Sequence, residues 1–200
     1  MSSHLADEEL AIKVKEFWHS TGKYLLGAVI VGLVISFGWR YWKNQQAVHA
    51  QQASTLYESV LDHQGKQVAI NEKALHALLQ SHSHSVYASM AQLDVAAVAM
   101  TEHQEAKAIA AYEWVIANAK ETGYQTLART RLARLYLNDK HPEKALSQLN
   151  AIPKGPFRGM VALLKAQAYD QQGKTDLAKQ SRLAAKESMA GVSIPEWINA

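Results

Sequence analysis

The sequence predicts an all-α protein in which a single N-terminal transmembrane helix precedes a solenoid of antiparallel helix pairs. Three observations carry that expectation. Residues Tyr24 to Trp39 form one uncharged, largely apolar block, and the chain has no second block like it. The residues behind it are polar, patterned with helical periodicity, and lack a convincing strand alternation. Small residues and tyrosines in that second part recur at a spacing of 33 to 37 residues.

The apolar block is bounded by Lys23 on one side and by Arg40, Tyr41, Trp42 and Lys43 on the other. Sixteen helical residues span roughly 24 Å, a little short of a ~30 Å hydrocarbon layer. Tyr41 and Trp42 extend the apolar surface past Arg40, whose long stem can snorkel toward headgroups. The expected span is therefore 24–42, with Gly38, Trp39, Arg40, Tyr41 and Trp42 as an aromatic and basic exit motif. Gly27, Ala28, Gly32, Ser36 and Gly38 are small enough for close approach by another helix, although lipid-facing glycine is equally ordinary. A buried helix of a soluble protein is the competing reading, and it would need apolar partners on all sides. A cleaved signal peptide fits poorly, because the leader is long, carries Asp7, Glu8 and Glu9, and is followed by bulky residues. Lys13, Lys15 and Lys23 precede the block while Arg40 and Lys43 follow it. That difference leans toward a cytoplasmic N-terminus, with the helical domain on the other side of the membrane.

Residues 1–23 form the expected cytoplasmic arm. Leu10, Val14, Phe17 and Trp18 lie on one helical stripe within 7–19, and Phe17, Trp18 and Tyr24 suit a headgroup layer. A detached soluble peptide is the alternative there. After the span, 44–62 contains no glycine or proline and carries Ala47, Ala50, Leu56, Tyr57 and Val60 on a helical stripe, so the first helix can run on until Gly65 stops it. Further helices are expected over 68–80, 85–100, 104–120, 124–138, 142–150, 157–172 and 175–189. The connections fall at Ser81 to Ser85, Gly123, Asn138 to Pro142, Pro153 to Pro156 and Gly173.

These helices pair, and the pairs repeat across 43–200. Gln92, Val95, Ala96 and Ala99 are followed by Ala108, Tyr112 and Val115. Arg129, Leu132, Ala133 and Tyr136 are followed by Ala145, Leu149 and Ile152. Ala162, Lys165, Ala166 and Tyr169 are followed by Ala178, Arg182 and Ala185. The expected packing positions are Ala96, Ala108, Ala133, Tyr136, Ala145, Ala166, Tyr169 and Ala178, where small side chains let helices cross closely. The spacing brackets the tetratricopeptide period of about 34 residues. Lys165 and Arg182 interrupt the large apolar slots, and a non-repetitive helical bundle is the competing arrangement.

Composition excludes several functions. A net charge of +3 with no long Lys/Arg run is no footprint for nucleic acid, and the absence of cysteine removes disulfide and thiolate chemistry. Ser81-His82-Ser83-His84-Ser85 invites a metal reading. Histidines two apart diverge on a helix, however, and no nearby ligand completes a tetrahedral set, so no metal and no cofactor is expected. No phosphate loop, nucleophile elbow or zincin motif is present, and no catalytic residue is expected. Stacked helix pairs support binding instead, along a groove lined by the first helix of each pair near Gln92, Arg129 and Ala162. Arg131 and Arg134 share a face and are candidates for an electropositive groove edge, against the plainer reading of a solvated face.

The sequence Gly38-Trp39-Arg40-Tyr41-Trp42 leaving one span, the acidic arm before it, and the degenerate repeats behind it resemble the YfgM family of ancillary SecYEG translocon subunits. The resemblance runs nearly end to end and is strongest at 38–42 and along Leu163 to Ala178 (LLKAQAYDQQGKTDLA). Residues from Gly191 depart from the family pattern. The resemblance implies a Gram-negative inner-membrane protein with its helical domain in the periplasm. It implies association with the SecYEG translocon and with a PpiD-type periplasmic chaperone, contact with translocating polypeptides and membrane lipid, and no catalytic residues. A different class of function is a regulatory adaptor whose residues 1–23 hold a cytoplasmic stress regulator without acting on secretory clients.

Overall fold

The computed structural model describes residues 3–62 and 69–189; before residue 30 only the side chains of Lys15, Trp18 and Tyr24 are described. The chain divides into two compact units, Met1–Gln51 and Gln52–Ala200. Gly65 and the departing segment from Gly191 lie outside the described residues, as do the side chains of most of the expected arm.

Among the described residues all regular structure except one short ladder is helical. Helix α1 runs Ser3–Glu58, with no glycine or proline between Trp39 and its end to interrupt it. It ends earlier than Asp62 because the chain then turns into a two-residue strand. Strand β1 (Leu61–Asp62) pairs antiparallel with β2 (Ala69–Ile70), with Leu61 opposite Ile70 and Asp62 opposite Ala69. This ladder corrects the all-helical reading of the segment around 68. Ala69 and Ile70 are drawn into strand pairing, so the next helix begins only at Glu72. Asn71 caps it, its side chain accepting a hydrogen bond from the Ala74 N–H at 3.2 Å.

In the second unit, α2 (Glu72–His82), α3 (Val86–Thr101), α4 (Glu105–Asn118), α5 (Thr122–Asn138), α6 (Pro142–Asn150), α7 (Arg158–Gln171) and α8 (Thr175–Ser188) follow in order. From α3 onward each helix packs on its predecessor, and α5 also meets α7. Ser85 caps α3, accepting from the Ala88 N–H at 3.1 Å, and Pro142 opens α6, where its missing N–H costs nothing. The core lies in two clusters. One joins Ala53 and Val60 at the end of α1 to Leu75, Leu78, Ala88, Val95, Val115 and Leu132; the other gathers Ala133, Leu137, Ala145, Leu149, Val161 and Leu164.

The repeat is visible in the backbone. Each pair α3/α4, α5/α6 and α7/α8 is joined by the same turn, with a residue of positive φ at His103 (58°), Lys140 (60°) and Gly173 (71°). The next N–H reaches back to the helix it has just left: Gln104 to Ala99 O at 2.8 Å, His141 to Tyr136 O at 2.8 Å, Lys174 to Tyr169 O at 2.9 Å. This is a Schellman-type closure that satisfies helix-end carbonyls. Long-range side-chain bonds echo the period, Gln171 Nε2 donating to Leu137 O across 34 residues and Lys107 Nζ to Glu72 across 35.

Candidate interaction surfaces

The small residues expected at the helix crossings are buried. Ala96, Ala108, Ala133, Ala145 and Ala178 have no exposed surface, and Ala166 has almost none. Tyr112 is buried, while Tyr136 and Tyr169 are half-buried at the pair ends. The large slot changes character in the third pair. Val95 and Tyr112 in the first pair, then Leu132 and Leu149 in the second, are buried. The third pair carries Lys165 and Arg182 at those slots, and Arg182 instead forms an ion pair with Asp170. Polar side chains thus replace apolar ones at these two slots, while Leu177 and Leu183 on α8 remain exposed. Burial lowers the pKa of the half-buried Lys165 ammonium, the expected cost of setting a cation in a slot built for a leucine.

The first helices do not line a uniform groove. Helix α3 is almost enclosed, leaving only Ala97 and Thr101 exposed, because α4, α2 and β2 pack on it and Leu56 and Tyr57 join the same core. Tyr57 stacks at 5.9 Å on Tyr87 and donates its hydroxyl to Asp94 Oδ2 at 2.8 Å. Burial, reinforced by that carboxylate, pushes the Tyr57 phenol up to about 12. Gln92 is buried and unavailable to a partner, which corrects its expected place on the groove. Sequence patterning missed this because a glutamine at that repeat position carries no signal of what will cover it.

Helix α5 remains open. Its three arginines diverge: Arg129 turns to its own pair, Nη1 donating to Gln148 Oε1 at 2.9 Å. Arg131 and Arg134 are exposed. Both guanidiniums lie near enough to Tyr112 to oppose the rise that burial imposes on its phenol. Arg134 also reaches toward α7, with Nη2 at 3.6 Å from Met160 Sδ. Neither arginine sits in an ion pair among the described residues. Their surroundings are thus a tyrosine, a thioether and solvent, a surface suited to a carboxylate-bearing or mixed polar partner. Among the described residues no group of histidines and carboxylates could hold a metal ion.

The first unit offers a different surface. Ile30, Val31, Leu33, Val34, Ile35, Phe37, Trp39, Tyr41 and Trp42 are all more than half exposed, and they cover about two thirds of the helix circumference, the remaining arc holding Gly32, Ser36 and Arg40. Trp39 and Trp42 lie 5.6 Å apart, Lys43 Nζ stands 5.9 Å from the Trp39 ring, and Gln45 Nε2 donates to the Tyr41 hydroxyl at 3.3 Å. Arg40 and Gly38 are exposed beside them. Among the described residues no helix is long and apolar enough to cross a membrane; the expected span 24–42 includes residues 25–29, whose side chains lie outside the description.

Antiparallel helix pairs repeating through one shared turn, with small residues at the crossings, define a helical-repeat protein of the tetratricopeptide type. The chain belongs to the family described as tetratricopeptide repeat-like domain, which it matches over residues 15–198. It is similar to the "Ancillary SecYEG translocon subunit" of Neisseria gonorrhoeae, 28% identical with 97% of this chain and 94% of the relative covered. Proteins of the same name from Haemophilus influenzae (26% identical, 94% of this chain, 89% of the relative) and Escherichia coli K12 (27% identical, 92% and 89%) are also similar. No solved structure matches.

Proposed function

We propose that the protein is a membrane-anchored, non-catalytic scaffold that associates with a SecYEG-type translocon. Residues 1–23 are then cytoplasmic, 24–42 span the inner membrane, and 43–200 form a periplasmic domain. The observation that carries the anchor is the exposure of large apolar side chains around about two thirds of the helix from Ile30 to Trp42, with only the small Gly32 and Ser36 and the terminal Arg40 on the remaining arc. A helix surface that apolar is covered by lipid or by other apolar helices, never by water alone. Arg40 and Lys43 mark where that apolar surface gives way to a polar one. The choice of partner rests on the relatives, whose name describes a translocon subunit and whose chains this one matches almost end to end.

Within that reading the repeats supply contacts rather than chemistry. Because α3 is almost enclosed, the exposed Arg131 and Arg134 of α5 are the proposed surface for a periplasmic partner. A PpiD-type chaperone or an emerging secretory segment is the kind of partner the resemblance supplies. The test is purification from membranes in a mild detergent. Stoichiometric recovery of translocon subunits supports the proposal. A protein released by carbonate overturns the anchor. A protein retained in the membrane but recovered with a single soluble cytoplasmic regulator, through residues 1–23, favours the adaptor reading instead.

A further inference from the structure

The stretch from Phe17 to Tyr57 contains no aspartate or glutamate at all. Within it Arg40 and Lys43 are exposed, and neither joins an ion pair among the described residues. Two cations three residues apart share one helix face, and at 100° per residue Trp42, Trp39, Lys43 and Arg40 follow one another around less than half of the circumference. The side chains within this arc are already arranged. The Lys43 ammonium stands over the Trp39 ring at 5.9 Å, and Trp39 is tilted against Trp42 at 5.6 Å. Tyr41 lies outside the arc, engaged with Gln45.

From this arrangement we infer that the Arg40–Lys43 face binds the phosphate of an anionic glycerophospholipid headgroup. The inference rests on the proposed anchor, since it needs the collar to sit at a membrane surface. Charge complementarity selects the occupant. The chain brings no carboxylate within fourteen residues after Lys43, where Glu58 is the first, and none between Glu16 and Arg40. The anion that neutralises the pair must therefore come from outside, and at a membrane surface the phosphate is the anion at hand. Arg40 presents a planar fork that matches phosphate oxygens, whereas Lys43 supplies a point charge steadied by the Trp39 ring. The indoles fill the layer just below, against glycerol and upper acyl carbons. An anionic headgroup offers this pair net charge that a zwitterionic one cancels with its own amine, so the site discriminates between them.

Full-length protein is reconstituted into phosphatidylcholine vesicles containing equal mole fractions of phosphatidylglycerol, with bromine on the acyl chains of one lipid or the other. Tryptophan quenching is then compared for the two brominated lipids. The expected result is stronger quenching by brominated phosphatidylglycerol, corresponding to a preference of roughly fivefold, the factor one Lys or Arg contributes near an anionic surface. The double variant Arg40→Gln/Lys43→Gln should lose the preference, and Arg40→Lys/Lys43→Arg should keep it. Equal quenching by both lipids, or a preference that survives the double Gln variant, overturns the inference while leaving the anchor standing. Absence of quenching by either lipid, with the protein extracted by carbonate, overturns the anchor and the inference together. Both positions are exposed, so helicity measured by circular dichroism should be the same in all three proteins.

Discussion

The shared turn allows one backbone prediction to be made three times with opposite signs. His103, Lys140 and Gly173 all hold positive φ, yet only the last is glycine. An L-residue in that conformation costs about 1–2 kcal/mol, whereas glycine there loses about 0.5–1 kcal/mol through the extra freedom of its unfolded chain. The difference leaves glycine ahead by about 0.5–1 kcal/mol. A Cβ built on Gly173 meets nothing within 4 Å, and His103 and Lys140 are exposed, so packing changes add little to any of the three. Gly173→Ala should therefore destabilise by about 0.5–1 kcal/mol, and His103→Gly and Lys140→Gly should each stabilise by about the same amount. For fragment 44–200, which contains both core clusters, this corresponds to melting shifts of about 1–4 °C down and up respectively. Urea unfolding of the fragment, followed by circular dichroism, reads all three. If Gly173→Ala were neutral and Lys140→Gly destabilising, the three turns would not be equivalent, and the repeat register derived from them would be wrong.

Ala133→Leu or Ala166→Leu should overpack a crossing whose alanine has almost no exposed surface, costing about 1–3 kcal/mol in the same urea titration. An unchanged midpoint for either would place those helices further apart than described. The Tyr57 phenol is held protonated in the fold up to about 12, against an ordinary value near 10. The folded state therefore retains a proton that the unfolded chain gives up, so this contribution is complete below about pH 10 and is lost as pH rises toward about 12. Tyr57→Phe should lower stability at neutral pH by leaving Asp94 without its donor, and should flatten the alkaline fall in the urea midpoint; an equally steep fall in the variant would exclude Tyr57 as its source. For topology, protease added outside spheroplasts should digest the helical domain and spare residues 1–23, and a protected domain would reverse the proposed orientation.

Much of the helical fold was legible because its determinants are local. Alanine and tyrosine at near-constant spacing, Pro142 opening α6, and Gly173 after α7 all announce themselves within a few residues. His103 and Lys140 did not, since neither residue type signals a positive φ; only the turn's hydrogen bonding reveals them as counterparts of Gly173. The β1/β2 ladder escaped because strands of two residues are too short to establish an alternation. The shape of the candidate binding surface was the least legible part. Gln92 occupies the same repeat position as Arg129, and nothing in the local pattern tells that the first is buried and the second only half-buried. Divergence of Arg129 from Arg131 and Arg134 could be read from a helical wheel, but the partners Gln148 and Met160 come from the packing of α6 and α7.

Photo-crosslinking in intact membranes tests the central claim most directly, with the reactive residue placed at Val34 in the apolar collar or at Arg134 on α5. Both positions are exposed, unlike Gln92. The account predicts that Val34 captures a membrane-embedded translocon subunit and that Arg134 captures a periplasmic chaperone or an emerging secretory chain. Background labelling alone from both positions, in membranes where the translocon is intact and the protein abundant, would contradict it.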